Sequence, residues 1–270
     1  MYIDDITSAL NPKIKDLIAL QSKSKERKER GLFVVEGKRE FGQALDGGFS
    51  PESIFFCEDY LLREDLLRIL DDKRYTPALF RVSRYIYDKI AYRGDSEGIV
   101  AIFKTKEYKL SDIKLSANPL ILVLESVEKP GNLGAVLRTA DAAHADAVIV
   151  CDPLTDLYNP NLIRAGIGAA FSVKTVACNS EEAYKWLKSN GIAIITAQLQ
   201  DSQLYYDTDM VQPVAIVMGS EDAGLTDYWR AVADAKVRIP MLGKLDSLNV
   251  SVSAAILCFE AVRQRNNKTP

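Results

Sequence analysis

The sequence of 270 residues is poor in the residues that most often carry nucleophilic or metal-dependent catalysis. It has one histidine, His144, and four cysteines without any C-x-x-C pair: Cys57, Cys151, Cys178 and Cys258. A Ser-His-Asp group, a Cys-His pair or a histidine-rich metal site would each depend on His144, which lies in the small-residue run "ADAAHADA". We interpret His144 as a helix-end residue, expect no metal site, and expect reduced, buried cysteines.

Long apolar runs are also missing. No window approaches the about 18 to 20 consecutive apolar residues of a membrane helix, and the first residues, "MYIDDITSALNPKIKD", do not resemble a signal peptide. Hydrophobic residues make up 47% and charged residues 26% of the chain, with a net charge of −3. These values are typical of a globular protein. We expect a cytoplasmic protein that makes no contact with membranes.

Two common nucleotide-binding fingerprints are absent. The stretch "GNLGAVLRTA", 131–140, follows an apolar run, but it matches neither G-x-G-x-x-G nor G-x-x-x-x-G-K-[ST]. The sequence therefore argues against a Rossmann dehydrogenase and against a P-loop nucleotidase.

Apolar runs alternate with helical patterns along the whole chain, which predicts an α/β protein. A polar, lysine-rich stretch around 104–119 divides it into a domain over 1–106, a linker over 107–118 and a second domain over 119–270. The first domain has short strand-like runs. The second has longer, continuously apolar runs, which favour a parallel sheet covered by helices, with ligands bound at the carboxyl ends of the strands.

Basic residues cluster near the start of the chain. Residues 13–30 hold seven basic and three acidic side chains, and "GKRE" follows at 37–40. A solvated helix face and a nucleic-acid contact both fit this pattern.

Three loops at predicted strand ends carry the candidate chemistry. In "EKPGNLGAVLRTAD", 128–141, helical spacing places Gly134, Arg138 and Asp141 on one face. One interpretation is an exposed ion pair between Arg138 and Asp141; the other is a guanidinium beside a bare glycine that a substrate backbone could approach.

The other two loops are rich in glycine and small polar residues. "VAIVMGSEDAGL", 214–225, brings Gly219, Ser220 and Glu221 to the end of a buried strand. The stretch 237–262 places four polar residues before and inside the first turns of an apolar helix: Ser247, Asn249, Ser251 and Ser253. Helix capping explains one or two of them, and a hydrogen-bonding site explains the set.

Together the three loops resemble a known family. "PGNLGAVLRTADAA", "VMGSEDAGL" and "RIPMLGKLDSLNVSVSAAI", in this order, are similar to the three signature motifs of the SpoU (TrmH) RNA 2′-O-ribose methyltransferases. The resemblance spans 119–262. The stretch "DLYNPNLIRAGIGAAFSV", which contains Arg164, is also similar, although Gly166 stands where many members carry serine.

The resemblance implies an S-adenosylmethionine-dependent transfer of a methyl group to a ribose 2′-hydroxyl of structured RNA, ribosomal RNA before tRNA. It also implies a C-terminal trefoil knot, a homodimer with the site near its interface, and a smaller, L30e-like RNA-binding domain ahead of the methyltransferase domain. A protein that binds RNA on the same fold without catalysis is the alternative of another class.

The resemblance also implies roles for particular residues. The catalytic set is Arg138, Asn132, Glu221, Ser247 and Asn249, and the cofactor-binding set is Gly219, Ser220, Ile239, Met241 and Leu248. The RNA-binding set is Lys23, Lys25, Arg27, Lys28, Arg30, Lys38 and Arg39. In the family the arginine that matches Arg138 serves as a base or holds the RNA; since a guanidinium keeps its proton at neutral pH, we favour orientation and electrostatic stabilisation.

Overall fold

The computed structural model describes residues 2–73, 75–92 and 97–267. The chain forms two compact units. The first comprises Met1–Lys106 with Leu157–Ser172, and the second comprises Glu107–Asp156 with Val173–Pro270.

The first unit is built on a five-stranded sheet with helices. Its strands are β1 Ile3–Ile6, β2 Leu32–Glu36, β3 Pro51–Phe56, β4 Ala78–Val82 and β5 Ile99–Lys104. Its helices up to Lys106 are α1 Pro12–Ser22, α2 Ser24–Arg30, α3 Lys38–Asp46, α4 Arg63–Lys73 and α5 Arg84–Ile90. The sheet order is β1-β4-β3-β5-β2, with β5 antiparallel to both of its neighbours and the other pairs parallel.

Local signals explain where the first two helices begin and end. Asn11 caps α1 by accepting a hydrogen bond from the Lys13 N–H at 2.9 Å, and Pro12 occupies the first turn, where no N–H is required. Gly31 ends α2 in the left-handed conformation, with φ of 62°.

The second unit is built on a seven-stranded sheet in which every pair of neighbours is parallel. The remaining strands are β6 Leu120–Glu125, β7 Ala147–Cys151, β8 Thr175–Cys178, β9 Ala193–Ala197, β10 Gln203–Leu204, β11 Val214–Met218 and β12 Ala235–Arg238. The remaining helices of the chain are α6 Pro130–Ala142, α7 Pro160–Ala165, α8 Ala169–Ser172, α9 Ser180–Ser189, α10 Asp227–Val232 and α11 Val250–Asn267. Of these, α7 and α8 belong to the first unit. The order is β10-β12-β9-β11-β6-β7-β8.

The predicted fold class is confirmed. Strands β6, β7 and β11 are buried along their whole length, which agrees with a parallel sheet covered on both faces. Helix α11 packs against α6 and against strands β6 and β11. The trefoil knot stays a prediction.

Residues 157–172 differ from their expected place. The sequence puts them in the second domain, but their helices α7 and α8 pack in the first unit. Tyr158 stacks on Phe33 with ring centroids 4.5 Å apart, and Phe171 meets Phe49 edge-on at 5.2 Å. These contacts complete an aromatic core, which explains why the segment belongs to the first unit. Positive φ angles at Ile167 and Gly168 separate α7 from α8.

His144 and three of the four cysteines lie as the sequence predicts, and Cys178 is the exception. His144 follows the end of α6 with φ of 53°. All four cysteines are free, and three are buried, but Cys178 is only half-buried at the edge strand β8. In the described part of the chain, no group of acidic, cysteine and histidine side chains is placed to hold a metal, and no helix could span a membrane.

Candidate active site

The three polar loops converge at one edge of the parallel sheet. They follow β6, β11 and β12, and the sheet order places β11 beside β6 and β9 between β11 and β12. Because all these strands run the same way, their carboxyl ends open on the same side.

The loop after β11 is a tight hairpin. Ser220 and Gly224 exchange backbone hydrogen bonds at 3.1 and 3.0 Å, and the Ser220 hydroxyl accepts from the Ala223 N–H at 3.2 Å. A side chain at Gly219 would collide with the backbone of Gly224 and Leu225. Only glycine lets the loop fold back on the strand end, which presents Glu221 beside the first loop.

A chain of side-chain hydrogen bonds joins all three loops. The Asn132 Nδ2 of α6 donates to the Glu221 Oε1, and the Asn132 Oδ1 accepts from the Asn249 Nδ2 at 3.0 Å. The Asn249 Oδ1 accepts in turn from the backbone N–H and the hydroxyl of Ser251 at 2.9 and 2.6 Å. Both ends of the Asn132 amide are used, so this residue fixes the other two loops relative to α6.

A buried carboxylate anchors the loop after β11 at its other end. Glu125, the last residue of β6, is 3% exposed. It accepts hydrogen bonds from the Thr226 N–H at 2.8 Å and from the Thr226 hydroxyl at 2.7 Å. The carboxylate thereby joins the end of β6 to the residue that precedes α10, and it satisfies its own buried oxygens.

The three loops surround a cavity of about 560 Å³. Glu221, Asn249 and Ser247 line it together with Gly219, Ser220 and Leu248. A smaller cavity of about 150 Å³ adjoins it, shares Ser247 and Leu248, and is lined by Ile239 and Met241. The structure thus gathers the predicted cofactor-binding residues around two neighbouring cavities.

Arg138 and Gly134 of the first loop do not line either cavity. Arg138 is exposed on α6 and is absent from the lining of both cavities. Within the described residues, its guanidinium forms no ion pair or hydrogen bond, so the interpretation of Arg138 as a partner of Asp141 in an exposed ion pair does not apply. Gly134 is buried, which corrects the expectation that a substrate could approach Arg138 across a bare glycine.

The predicted RNA-binding residues are exposed with one exception. The exposed ones are Lys23, Lys25, Lys28, Arg30, Lys38 and Arg39. Arg27 is only 3% exposed, and its Nη1 donates to the backbone carbonyls of Leu20 and Gln21 at 2.5 and 3.1 Å. Its position gives Arg27 a structural role at the junction of α1 and α2, which corrects the expectation of a surface contact.

Sequence reasoning missed one loop of the site. The loop after β9 lines the larger cavity with Gln198, Leu199 and Gln200. No motif in the sequence marks these residues. Their signal was available: β9 is a buried strand of a parallel sheet, and the loop after such a strand opens on the ligand-binding edge.

Fold and site define a class of protein: a parallel α/β enzyme domain with a small-molecule cavity at the carboxyl edge of its sheet, joined to a smaller α/β unit. The family model of the SpoU rRNA Methylase family matches residues 119–259, and that of the MRM3-like substrate binding domain matches residues 11–101.

Similar proteins agree with these matches. A 23S rRNA (guanosine(2553)-2′-O)-methyltransferase, RlmP of Bacillus subtilis, is 30% identical over 94% of this chain and 97% of its own length. A solved RNA 2′-O ribose methyltransferase is 40% identical with a TM-score of 0.83, covering 97% of this chain and 99% of that one. An rRNA methyltransferase from Sinorhizobium meliloti, solved with bound AdoMet, is 30% identical with a TM-score of 0.88, covering 97% and 98%.

The chain belongs to the SpoU rRNA methylase family. The family predicted from the three motifs is therefore confirmed, and with it the prediction that the protein is a methyltransferase.

Proposed function

We propose that the protein transfers the methyl group of S-adenosylmethionine to a ribose 2′-hydroxyl of ribosomal RNA. The observation that carries the proposal is the hydrogen-bonded chain from Glu221 through Asn132 to Asn249, which ties three separate loops around one cavity. Relatives named for 23S rRNA favour ribosomal RNA over tRNA as the substrate.

The cavity fits the cofactor. Its volume of about 560 Å³ lies within the range of about 300 to 1,000 Å³ that small-molecule sites occupy. Met218, Leu199 and Leu248 offer apolar surface, and the hairpin around Gly219 brings backbone groups close because no side chain intervenes. Bound there, S-adenosylmethionine supplies a methyl group that is already activated on a sulfonium.

The protein's part of the reaction is alignment and charge stabilisation. A ribose hydroxyl is a poor nucleophile, so it must be held in line with the methyl group. With the cofactor bound, the bond between its sulfur and the methyl carbon would break as the bond from the ribose oxygen to that carbon forms. S-adenosylhomocysteine would be left, and the hydroxyl proton would pass to a neighbouring RNA phosphate and from there to solvent. Glu221, Ser247 and Asn249 line the cavity and can hold the ribose by hydrogen bonds. Arg138 supplies the positive charge that stabilises the developing alkoxide and orients the neighbouring phosphate.

We further propose that Arg138 acts in the cavity of a second copy of the chain. It is exposed and does not line its own cavity. Helix α11, which packs on α6, exposes an apolar stripe of Val252 and Phe259, 47% and 46% exposed, seven residues apart with Ile256 between them. Such a stripe is typical of an interface, and pairing through it would make the protein a homodimer.

Methyl transfer tests the proposed activity. Labelled S-adenosylmethionine and ribosomal RNA from cells that lack the protein should give 2′-O-methylated RNA. Arg138→Ala should lower kcat by at least about 100-fold, because the charge acts in the transition state, and leave cofactor affinity in calorimetry nearly unchanged. Transfer to tRNA but not to ribosomal RNA would contradict the substrate, and binding of RNA without transfer would favour the non-catalytic alternative.

A mixed dimer tests the shared site. Chains carrying Arg138→Ala and chains carrying Asn249→Ala, with different tags, should each be inactive. The purified mixed dimer should recover about half of the wild-type rate, since one of its two sites then has both groups. An inactive mixed dimer, or a monomeric mass in solution scattering, would contradict this arrangement. The cytoplasmic location stays a prediction.

A further inference from the structure

A separate cavity, of about 350 Å³, lies within the first unit. It is enclosed by the ends of α1 and α5, by strand β2 and by the start of α7. Its volume is more than ten times the about 30 Å³ that one water molecule occupies, and it falls in the range of small-molecule sites. The cavity therefore has room for a group larger than an ion.

The lining suits a planar ring with a polar edge. Val34, Ile90 and Ile163 are almost fully buried and give an apolar floor. Glu36 and Asn161 add polar side chains to the lining. An apolar surface with polar groups at one edge is the arrangement that binds a nucleobase by its face and its hydrogen-bonding edge.

A fixed stacking platform forms one wall. The Arg164 guanidinium lies 3.6 Å from the centroid of the Tyr92 ring. Its Nη2 donates to the Asn161 Oδ1, and its Nη1 lies 4.0 Å from the Glu36 Oε2. The Glu36 carboxylate also accepts from the Tyr92 N–H at 3.0 and 3.1 Å, so one carboxylate positions both members of the platform.

One side of this platform is open. The Arg164 side chain is 16% exposed, whereas Tyr92 is 68% exposed. The guanidinium lies over one face of the ring, and Tyr92 nevertheless keeps about two thirds of its surface exposed. A large exposed aromatic ring held in place from behind is a surface on which a base can stack.

Basic residues are frequent in the part of the sequence that supplies Ser22 and Arg27 to the lining of the cavity. Ser22 and Arg27 line it, and Lys23, Lys25 and Lys28 next to them in the chain are exposed. On α5, the Lys89 Nζ lies 4.2 Å from the ring centroid of Tyr85, which is 66% exposed. Exposed aromatic rings interleaved with cations are typical of surfaces that bind single-stranded nucleic acid.

We propose that this cavity takes one unpaired nucleobase of the RNA substrate, stacked on Tyr92, while the adjoining phosphates follow α2. The inference rests on the proposed function for its RNA ligand. It assigns a role that the methyl-transfer site cannot fill: the first unit selects RNA that offers an unpaired nucleotide, and Arg164 positions the ring that receives it.

Fluorescence of a short, uridine-rich ribooligonucleotide with one 2-aminopurine tests the proposal on the full chain. Stacking on Tyr92 should quench the probe. Tyr92→Ala should weaken binding about tenfold or more and abolish the quenching, because one base–aromatic stack is lost. Tyr92→Phe keeps the ring, and Tyr2→Ala removes a tyrosine that is 83% exposed elsewhere in the same unit, so both should behave as wild type.

Several results would overturn the proposal: no binding of the probe by the wild type, equal affinity and quenching in Tyr92→Ala, or equal binding of the probe within a duplex. Methyl transfer gives a separate measurement. Tyr92→Ala should raise the KM for ribosomal RNA and keep kcat, and a loss of kcat alone would count against a pocket for substrate selection. If the wild type fails to methylate ribosomal RNA, the proposed function falls, whereas the oligonucleotide result stands or falls by itself.

Discussion

At the scale of single residues, Gly219 has the most sharply defined requirement. Gly219→Ala would place a methyl group against the backbone of Gly224 and Leu225, so the hairpin after β11 would have to open. We expect S-adenosylmethionine to bind at least about tenfold more weakly by calorimetry, since the loop that presents the cavity wall is displaced.

Gly243→Ala is the matched control for this prediction. A side chain there meets nothing within 4 Å, so cofactor affinity should not change. If the wild type, Gly219→Ala and Gly243→Ala bound S-adenosylmethionine with equal affinity, the folded form of the hairpin would not be needed for binding.

At the scale of elements, Arg265 fixes the last turns of α11. Its guanidinium donates to four backbone carbonyls, those of Met210, Asn118, Pro119 and Gln212, at 2.8 to 3.2 Å. Arg265→Ala should lower the free energy of unfolding by about 2 to 4 kcal/mol in denaturant titrations, because several carbonyls lose a charged donor at once.

The control variant for Arg265→Ala is Lys185→Ala on α9, which removes an exposed ion pair with Glu181. It should cost less than about 1 kcal/mol, because solvent screens such pairs. A similar small loss in both variants would mean that the end of α11 contributes little to stability.

Some strands can be predicted from the sequence and others cannot. Strands β6, β7 and β11 can be recognised in the sequence as the apolar runs "LILVLE", "AVIVC" and "VAIVM", because burial on both faces leaves a continuous apolar run. Strand β1 is not, because "IDDI" has two acidic residues and becomes a strand through its pairing with β4, where Asp5 binds Arg81 at 2.7 Å.

In the candidate site as well, the sequence identifies residues but not the contacts between them. Motif resemblance identifies Asn132, Glu221 and Asn249, but their hydrogen bonds to one another follow from the order of β6, β11, β9 and β12 in the sheet. The order of strands in a sheet is a long-range property that local patterns do not contain, and the burial of Gly134 likewise comes from tertiary packing.

At the scale of the whole molecule, the segment 157–172 belongs to the first unit, although residues 107–156 of the second unit separate it from the rest of that unit in the sequence. Phe171→Ala should lower the stability of the first unit by about 3 to 5 kcal/mol, because it empties part of the aromatic core beside Phe49. Hydrogen exchange measured by mass spectrometry should show faster exchange in β2 and β3.

Val173→Ala, two residues further on, provides the contrast. Val173 is buried but belongs to the second unit, so exchange should rise there and stay unchanged in β2 and β3. The same exchange pattern in both variants would mean that the boundary at Ser172 has no energetic meaning.

The division of the first unit into two stretches of sequence limits how the protein can change in evolution. The first unit is assembled from two separate stretches of sequence, Met1–Lys106 and Leu157–Ser172. A single genetic crossover between residues 106 and 157 would combine the first stretch of one relative with the second stretch of another, and the rings of Phe33 and Phe49 would meet a foreign Tyr158 and Phe171. The two stretches are therefore expected to vary together, by paired substitutions rather than by exchange of a whole module.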